Sequence, residues 1–158
     1  MFFKKNKKEK LYSPCFGKLI DLSEVKDEVF SKRMMGDGYA VLPETNDVYS
    51  PVTGQVMTIF PTKHAIGIRT SYGVEVLIHI GIDTVDLEGL PFKLYIKEGQ
   101  IVDQQTKLLT VDLAFLEQKG KNSAVIVLLT NSDMLKKIRL TNVEQVTAGS
   151  EIGSAELK

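Results

Sequence analysis

Several features that define common protein classes are scarce or missing in this 158-residue chain. The single cysteine, Cys15, can form neither an intramolecular disulfide nor a thiolate zinc site by itself. The longest apolar run, 124–129, is far shorter than the roughly 18–20 residues of a membrane span. The lysine-rich start has no apolar segment behind it, as a signal peptide would have. These absences predict a cytoplasmic chain.

The chain also has no excess of positive or negative charge, because its formal net charge is zero. The charge is unevenly distributed, since residues 1–10 contain five lysines and one glutamate. The neutral-to-acidic remainder argues against nucleic-acid binding. We expect residues 1–10 to form a basic, disordered tail. Either it stays in solvent, or it touches anionic lipid at the inner face of the plasma membrane, with Phe2 and Phe3 in the interface.

Strand-like segments dominate residues 11–158, which we interpret as one domain. They are rich in Val, Ile, Thr and aromatic residues and are separated by turn-forming residues. The predicted strands are 16–22, 39–42, 47–49, 54–60, 65–70, 74–80, 92–95, 107–111 and 124–129. Helical signal is limited to 112–118, capped by Asp112, and to 132–137. The pattern predicts an all-β fold, a compact antiparallel β-sandwich or barrel-like domain with one or two short helices.

The two histidines, His64 and His79, are the main candidates for chemistry. Side chains alternate between the faces of a strand, so the valines and isoleucines of 74–80 predict a core face, and His79 lies on the opposite one. His64 ends the turn 61–63 and begins the next candidate strand. Pairing of the two strands would bring the imidazoles together.

A neutral imidazole is nucleophilic at cytoplasmic pH and can accept a phosphoryl group. A second histidine can donate a hydrogen bond to the phosphoryl oxygens, and a hydroxyl such as that of Thr62 can set its tautomer. No ATP-binding loop is found, so the phosphoryl donor would be another protein. Two alternatives stay open at this point. The histidines can be structural, or they can bind zinc with Glu75 or Asp83 completing the ligand set.

Longer sequence segments are more specific than this spacing. They are GDGYAV (36–41), PVTG (51–54), TKHA (62–65), GVEVLIHIGIDTV (73–85), FK (92–93), EGQ (98–100) and DL (112–113). In this order they resemble the glucose-family enzyme IIA domain of the bacterial phosphoenolpyruvate-dependent sugar phosphotransferase system. The resemblance extends from about residue 11 to the C-terminus and implies an antiparallel β-sandwich.

The resemblance also implies a role for each site residue. His79 matches the histidine that is phosphorylated on Nε2, His64 the histidine that stabilises the phosphoryl group, and Thr62 the hydroxyl that orients His64. Asp27 and Asp83 match acids that meet partner arginines. The resemblance places Val29, Phe30, Phe60 and Ile66 in an apolar docking rim. No cofactor or metal is required, although zinc can bridge His64 and His79 adventitiously or as a regulator.

The implied activity is that of a phosphotransferase relay component in sugar transport. The donor would be the histidine phosphocarrier protein, and the acceptor a cysteine on the IIB domain of a glucose-type membrane permease. We expect a free-standing, monomeric IIA component. The alternative is a regulatory binding module that docks on transporters or metabolic enzymes and is gated by histidine phosphorylation.

Overall fold

The structure, a computed structural model, describes residues 7–158. Within them lie fourteen strands, two short α-helices and three 3-10 helices. The strands are β1 (Lys8–Tyr12), β2 (Gly17–Asp21), β3 (Asp37–Pro43), β4 (Asp47–Tyr49), β5 (Gly54–Ile59), β6 (Ala65–Arg69), β7 (Glu75–Ile80), β8 (Phe92–Leu94), β9 (Ile101–Val102), β10 (Lys107–Val111), β11 (Val125–Leu129), β12 (Leu135–Leu140), β13 (Gln145–Val146) and β14 (Glu151–Leu157). The α-helices are α1 (Glu28–Ser31) and α2 (Leu113–Gln118), and the 3-10 helices span Leu22–Glu24, Thr84–Leu87 and Ser132–Met134.

The strands form three antiparallel sheets. The central sheet has eight strands in the order β13-β2-β3-β11-β7-β6-β5-β9. A terminal sheet has the order β1-β14-β12, and a small sheet has the order β4-β10-β8. The predicted all-β antiparallel sandwich with short helices is therefore confirmed. No helix within residues 7–158 is long and apolar enough to cross a membrane.

The main core lies between the inner face of the central sheet and the two smaller sheets. Ile78 on β7 and Val127 on β11 belong to the same buried cluster as Leu11 on β1, Leu109 on β10 and Ile152 on β14. Alternation along each strand gives these branched side chains one shared face, and their burial drives the sheets together. The opposite, outer face of β7 does not contribute to this core.

Part of that outer face is covered by the segment that joins β2 to β3. Leu22, Val25 and Phe30 from this segment pack on Ala40 and Ile126 of the central sheet in a second buried cluster. Asp27 caps α1 by accepting a hydrogen bond from the backbone N–H of Val29. The cap and the cluster together fix the segment beside β7.

The nine predicted strands all have counterparts in the structure, and the predicted helix over 112–118 is confirmed as α2. Asp112 accepts its capping hydrogen bond from the Phe115 N–H at 3.0 Å. The helix predicted over 132–137 is wrong beyond its first turn. A 3-10 helix ends at Met134, and residues 135–140 form β12, because they pair with β14 along its length. No strand was predicted from the sequence at β1, β9, β12, β13 or β14.

The predicted start of the ordered domain at residue 11 is also wrong. Residues 8–10 belong to β1, where Lys8 pairs with Glu156 and Lys10 with Ser154 on β14. Pairing satisfies backbone groups that a solvated tail would leave to water. Lys7 directly precedes β1, and residues 1–6 of the predicted tail lie outside the described residues.

β1 also carries an unusual buried carboxyl group. Glu9 is only 9% exposed, and its Oε1 is a buried oxygen without a hydrogen-bond partner among the described residues. Burial raises the pKa of Glu9 above its ordinary value, although a hydrogen bond from the Thr70 hydroxyl opposes this shift. The charged form of Glu9 therefore destabilises the folded chain.

We expect Glu9→Gln to raise the free energy of unfolding at pH 7 by on the order of 1 kcal/mol, because the substitution removes a poorly solvated charge. Because the pKa of Glu9 is higher in the folded chain than its ordinary value of about 4.5, protonated Glu9 contributes stability below pH 4.5. This contribution is lost as pH rises through the folded pKa. The difference between variant and wild type should therefore grow from pH 4.5 upward. Urea unfolding across this range measures it, with exposed Glu117→Gln as the matched control; equal pH profiles for the two variants would contradict the prediction.

Candidate functional site

The pairing of β6 with β7 brings the two histidines together. Ala65 on β6 lies opposite His79 on β7, and the Ile80 N–H donates to the His64 carbonyl at 2.7 Å. The two imidazole centroids are 5.1 Å apart, with the ring planes at 80°. The predicted meeting of the rings is therefore confirmed. An 80° crossing directs one ring edge towards the face of the other.

His79 lies on the outer face of β7, as the alternation predicts. Val76, Ile78 and Ile80 are buried, whereas His79 is half-buried on the other face with Leu77. Nδ1 of His79 lies 2.8 Å from the Gly81 carbonyl oxygen. A carbonyl can only accept, so Nδ1 carries the hydrogen and, in the neutral ring, the lone pair is on Nε2.

The turn after β7 holds that carbonyl in place. Gly81 has φ +79°, and a Cβ there would lie 2.4 Å from Cγ2 of Thr84 and 2.9 Å from the Asn122 carbonyl oxygen, so only glycine fits. The fully buried Thr84 donates its hydroxyl hydrogen to the Ile80 carbonyl at 2.5 Å. Neither the Gly81 carbonyl nor Thr84 was predicted from the sequence as part of the site, because both act through a turn whose backbone angles follow from tertiary contacts.

His64 is oriented from the opposite side. Oγ1 of Thr62 lies 2.6 Å from Nδ1 of His64, within a turn in which Lys63 has φ +61°. When the Thr62 hydroxyl donates, the neutral His64 ring carries its hydrogen on Nε2 and becomes a donor there. The Phe60 ring meets His64 edge-on, with centroids 5.5 Å apart. The predicted contact of Thr62 with His64 is thus present.

Burial keeps both rings uncharged near neutral pH. It lowers the pKa of His64 below its ordinary value, and it is also the largest cause of the lowered pKa of His79. The charge of His64 lowers the pKa of His79 further, while the Gly81 carbonyl and the charges of Asp27 and Asp83 raise it. The net lowering of its pKa favours a neutral His79 imidazole at neutral pH.

A shallow depression of about 170 Å³ opens beside His79. Its walls are Asp27, Val29, Phe30, Asp83 and Val85. The Phe30 ring centroid is 4.9 Å from that of His79. Two carboxylates and an apolar wall next to one imidazole suit a partner that presents a cation beside apolar side chains.

A larger depression of about 350 Å³ lies on the outer face of β5, β6 and β7. Met57, Phe60 and Leu77 supply exposed or half-exposed apolar surface to it. Gly67 lines it as well, and there a Cβ would only reach ordinary contact with Thr58. Leu77, Met57 and Val85 were absent from the predicted rim, since sequence does not show which apolar residues remain uncovered.

The prediction that Ile66 belongs to the docking rim is wrong. Ile66 is fully buried and lies opposite Ile78 in the main core, because alternation on β6 directs it inward. Phe30 is also largely buried, but its ring forms one wall of the depression beside His79. Val29 and Phe60 are exposed, as a docking rim requires.

Within residues 7–158, a zinc ion held by His64 and His79 would have no third ligand from a Cys, Asp or Glu side chain. Among residues 7–158, no three His, Cys, Asp or Glu side chains are grouped closely enough to hold a metal ion. Glu75 and Asp83, the two acids considered for this role, therefore do not complete a ligand set with the histidines.

We expect both histidines to titrate below pH 6.5, because burial disfavours their charged forms. The unfolded chain then binds more protons than the folded chain as pH falls below about 6.5, so the free energy of unfolding declines through that window. NMR titration of the imidazole protons and urea unfolding on either side of pH 6.5 test the two statements. A midpoint at or above 6.5 for His79 would contradict the assignment of burial as the dominant cause.

Removal of the Thr84 hydroxyl should loosen the hydrogen bond at His79. We expect Thr84→Val to raise the fraction of His79 with its hydrogen on Nε2, because the turn that carries the Gly81 carbonyl loses its clamp. Nitrogen-15 NMR of the ring reports the tautomer. Thr84→Ser should retain the wild-type spectrum, and Ser50→Ala, which removes a buried hydroxyl-to-carbonyl hydrogen bond elsewhere, should leave it unchanged.

Known proteins share both the fold and the sequence of this chain. The family model of the phosphoenolpyruvate-dependent sugar phosphotransferase system, EIIA 1, matches residues 9–135. The solved structure of glucose permease IIA from Mycoplasma capricolum superposes with a TM-score of 0.86 at 41% identity, over 97% of this chain and 99% of that one.

Curated relatives give the same result. The PTS system glucose-specific EIIA component of Mycoplasma capricolum is 44% identical over 89% of this chain and 92% of its own length. The corresponding component of Oceanobacillus iheyensis is 43% identical, over 87% and 83% of the two chains. The glucose-specific EIICBA component of Streptococcus pneumoniae is 44% identical over 94% of this chain, which spans only 20% of that protein. On this evidence the chain belongs to the EIIA 1 family of the phosphoenolpyruvate-dependent sugar phosphotransferase system, whose members are phosphocarriers in sugar transport.

Proposed function

We propose that His79 is the residue on which this phosphocarrier holds its phosphoryl group, at Nε2. The observation that carries the proposal is the hydrogen bond from Nδ1 to the Gly81 carbonyl, which leaves the Nε2 lone pair available. The lowered pKa of His79 keeps that lone pair unprotonated at neutral pH. The half-buried position on a paired strand supplies the positioning on which phosphoryl transfer depends.

His64 then stabilises the transferred group. With the Thr62 hydroxyl donating to Nδ1, Nε2 of His64 can donate to an oxygen of the phosphoryl group on the neighbouring ring. Thr62 acts through His64, so it is a positioning residue.

The donor in our proposal is the phosphorylated histidine phosphocarrier protein, and the acceptor is a cysteine on a IIB domain. In the first step the phosphorus–nitrogen bond of the donor breaks as the bond to Nε2 of His79 forms. In the second step that bond breaks as the acceptor thiolate binds phosphorus, and Nε2 regains its lone pair. The Streptococcus pneumoniae relative is named as a single EIICBA component, which supports a IIB partner for this chain. A glucose-type sugar is the proposed cargo, after the names of the relatives.

Both partners would dock on the face that carries the histidines. Val29, Phe30 and Phe60 contribute apolar surface, and Asp27 and Asp83 offer carboxylates to a cationic partner side chain. Exposed apolar residues bordered by charge suit short-lived complexes. The chain would act as a monomer in the cytoplasm, and its basic N-terminal residues would let it bind peripherally at the inner face of the plasma membrane.

The first test measures phosphate acceptance. Purified chain incubated with phosphoenolpyruvate, enzyme I and the histidine phosphocarrier protein should gain the mass of one phosphoryl group, and acid should remove it. His79→Ala should gain none, because no other imidazole has a free Nε2 at this position. Full phosphate acceptance by His79→Ala, with both upstream proteins phosphorylated, would overturn the assignment.

The second test separates acceptance from transfer. We expect His64→Gln to accept phosphate, since an amide N–H can still reach the phosphoryl oxygens, but to pass it to a IIB domain roughly 10²-fold more slowly, because an amide cannot share the charge as an imidazole does. Single-turnover transfer from isotopically labelled protein measures the rate. Wild-type transfer by this variant would remove His64 from the mechanism. Acceptance without transfer by the wild-type chain would favour the regulatory binding module.

A further inference from the structure

The terminal sheet presents a basic face, which we define as Lys8, Lys10, Lys136, Lys137 and Arg139. Residues directly opposite each other in an antiparallel sheet lie on the same face. The ladders align Lys8 and Lys137 on either side of Glu156, and Lys10 and Arg139 on either side of Ser154. Lys136 lies at the bulge beside Lys137, and its Nζ is 3.9 Å from Glu156.

The cations of the basic face outnumber its acids. The Glu156 side chain is 10% exposed and lies within 4 Å of Lys136 and Lys137, and Glu151, the first residue of β14, lies 3.7 Å from Lys10. Within residues 7–158, neither Lys8 nor Arg139 forms an ion pair. Five exposed cations against two carboxylates give a positive surface on a chain whose formal net charge is zero.

The basic face and the histidines lie on opposite sides of the sandwich. The row of Glu9, Ala155 and Ile138 turns inward from the terminal sheet, and Ala155 joins the same core as Ile78 of β7. His79 lies on the other face of β7. A partner bound to the basic face would therefore leave the histidine depression uncovered.

We propose that the basic face binds the surface of an anionic lipid bilayer. The cations are spread over one face of a three-stranded sheet, where flanking strands lie about 10 Å apart, which suits a broad charged surface better than a single small anion. The sequence before β1 carries three further lysines, Lys4, Lys5 and Lys7. The inference deepens the peripheral location under the proposed function by assigning it to folded residues of β1 and β12.

This orientation has a consequence for the relay. A chain that rests on the membrane through the basic face directs His64 and His79 away from the lipid, towards the aqueous side. Soluble partners and the aqueous domain of a permease meet the histidines there. Membrane binding and phosphoryl transfer would then use separate surfaces and would not compete.

The test is sedimentation of the full chain with vesicles. We expect binding to vesicles of phosphatidylcholine mixed with phosphatidylglycerol, little binding to phosphatidylcholine alone, and loss of binding at high salt. Lys137→Gln with Arg139→Gln should weaken binding at least ~10-fold, because each cation near an anionic surface contributes substantially. Lys97→Gln with Lys119→Gln removes the same charge from exposed positions outside the terminal sheet and should change binding far less.

Three further measurements make the outcome decisive. A variant with Lys4, Lys5 and Lys7 changed to Gln shows what the N-terminal lysines contribute. The double variant Lys137→Gln, Arg139→Gln is the β12 variant. If the N-terminal variant alone loses binding while the β12 variant binds like wild type, the basic face is not the lipid site. Equal losses in the β12 variant and its control, or tighter binding to a DNA duplex than to vesicles, would also overturn the proposal. Phosphate acceptance by the β12 variant should equal that of wild type, so failure of this proposal is distinguishable from failure of the proposed relay.

Discussion

The antiparallel pairing of β6 with β7 is the constraint on which the site depends. The hydrogen bond from the Ile80 N–H to the His64 carbonyl fixes the register that sets the imidazoles 5.1 Å apart. A slip of one residue would move His79 to the core face and bring Ile78 to the surface, because side chains alternate with a period of two. The buried isoleucines on both strands oppose such a slip, so packing of the core also protects the geometry of the histidines.

Burial and hydrogen bonding prepare the same imidazole in different ways. Desolvation lowers the pKa of His79 and keeps the ring neutral, while the Gly81 carbonyl decides which nitrogen carries the hydrogen. Asp27 and Asp83 oppose the first effect, since their charges favour the imidazolium. They lie at the rim of the depression, where they can also meet a cationic partner. Burial and the two carboxylates therefore act in opposite directions on the charge state of His79.

The sandwich separates surfaces that would otherwise interfere. Its outer central-sheet face combines the histidines with exposed apolar residues such as Phe60 and Leu77. Its terminal-sheet face carries cations instead, with the main core between the two. If both proposals hold, charge attraction at the terminal-sheet face would not block docking at the histidine face.

Local patterning was sufficient for much of the fold. Runs of β-branched residues identify six of the eight strands of the central sheet, Asp112 marks the start of α2, and alternation along β7 places His79 opposite the core. The same local signals failed where pairing partners are distant in sequence. Residues 8–10 resemble a solvated tail and residues 135–137 a helix end, yet both become strands because β14 lies between them.

The sequence by itself determined nine of the fourteen strands within residues 7–158, the face on which His79 lies and, through its motifs, the family. Only the tertiary structure decided that Thr84 and the Gly81 carbonyl hold the histidine, and that lysines from both ends of the chain share one face. The physical reason is the range of the interactions. Alternation and capping act over a few neighbouring residues, whereas burial, turn geometry and clustered charge depend on segments that meet only when the sheets pack.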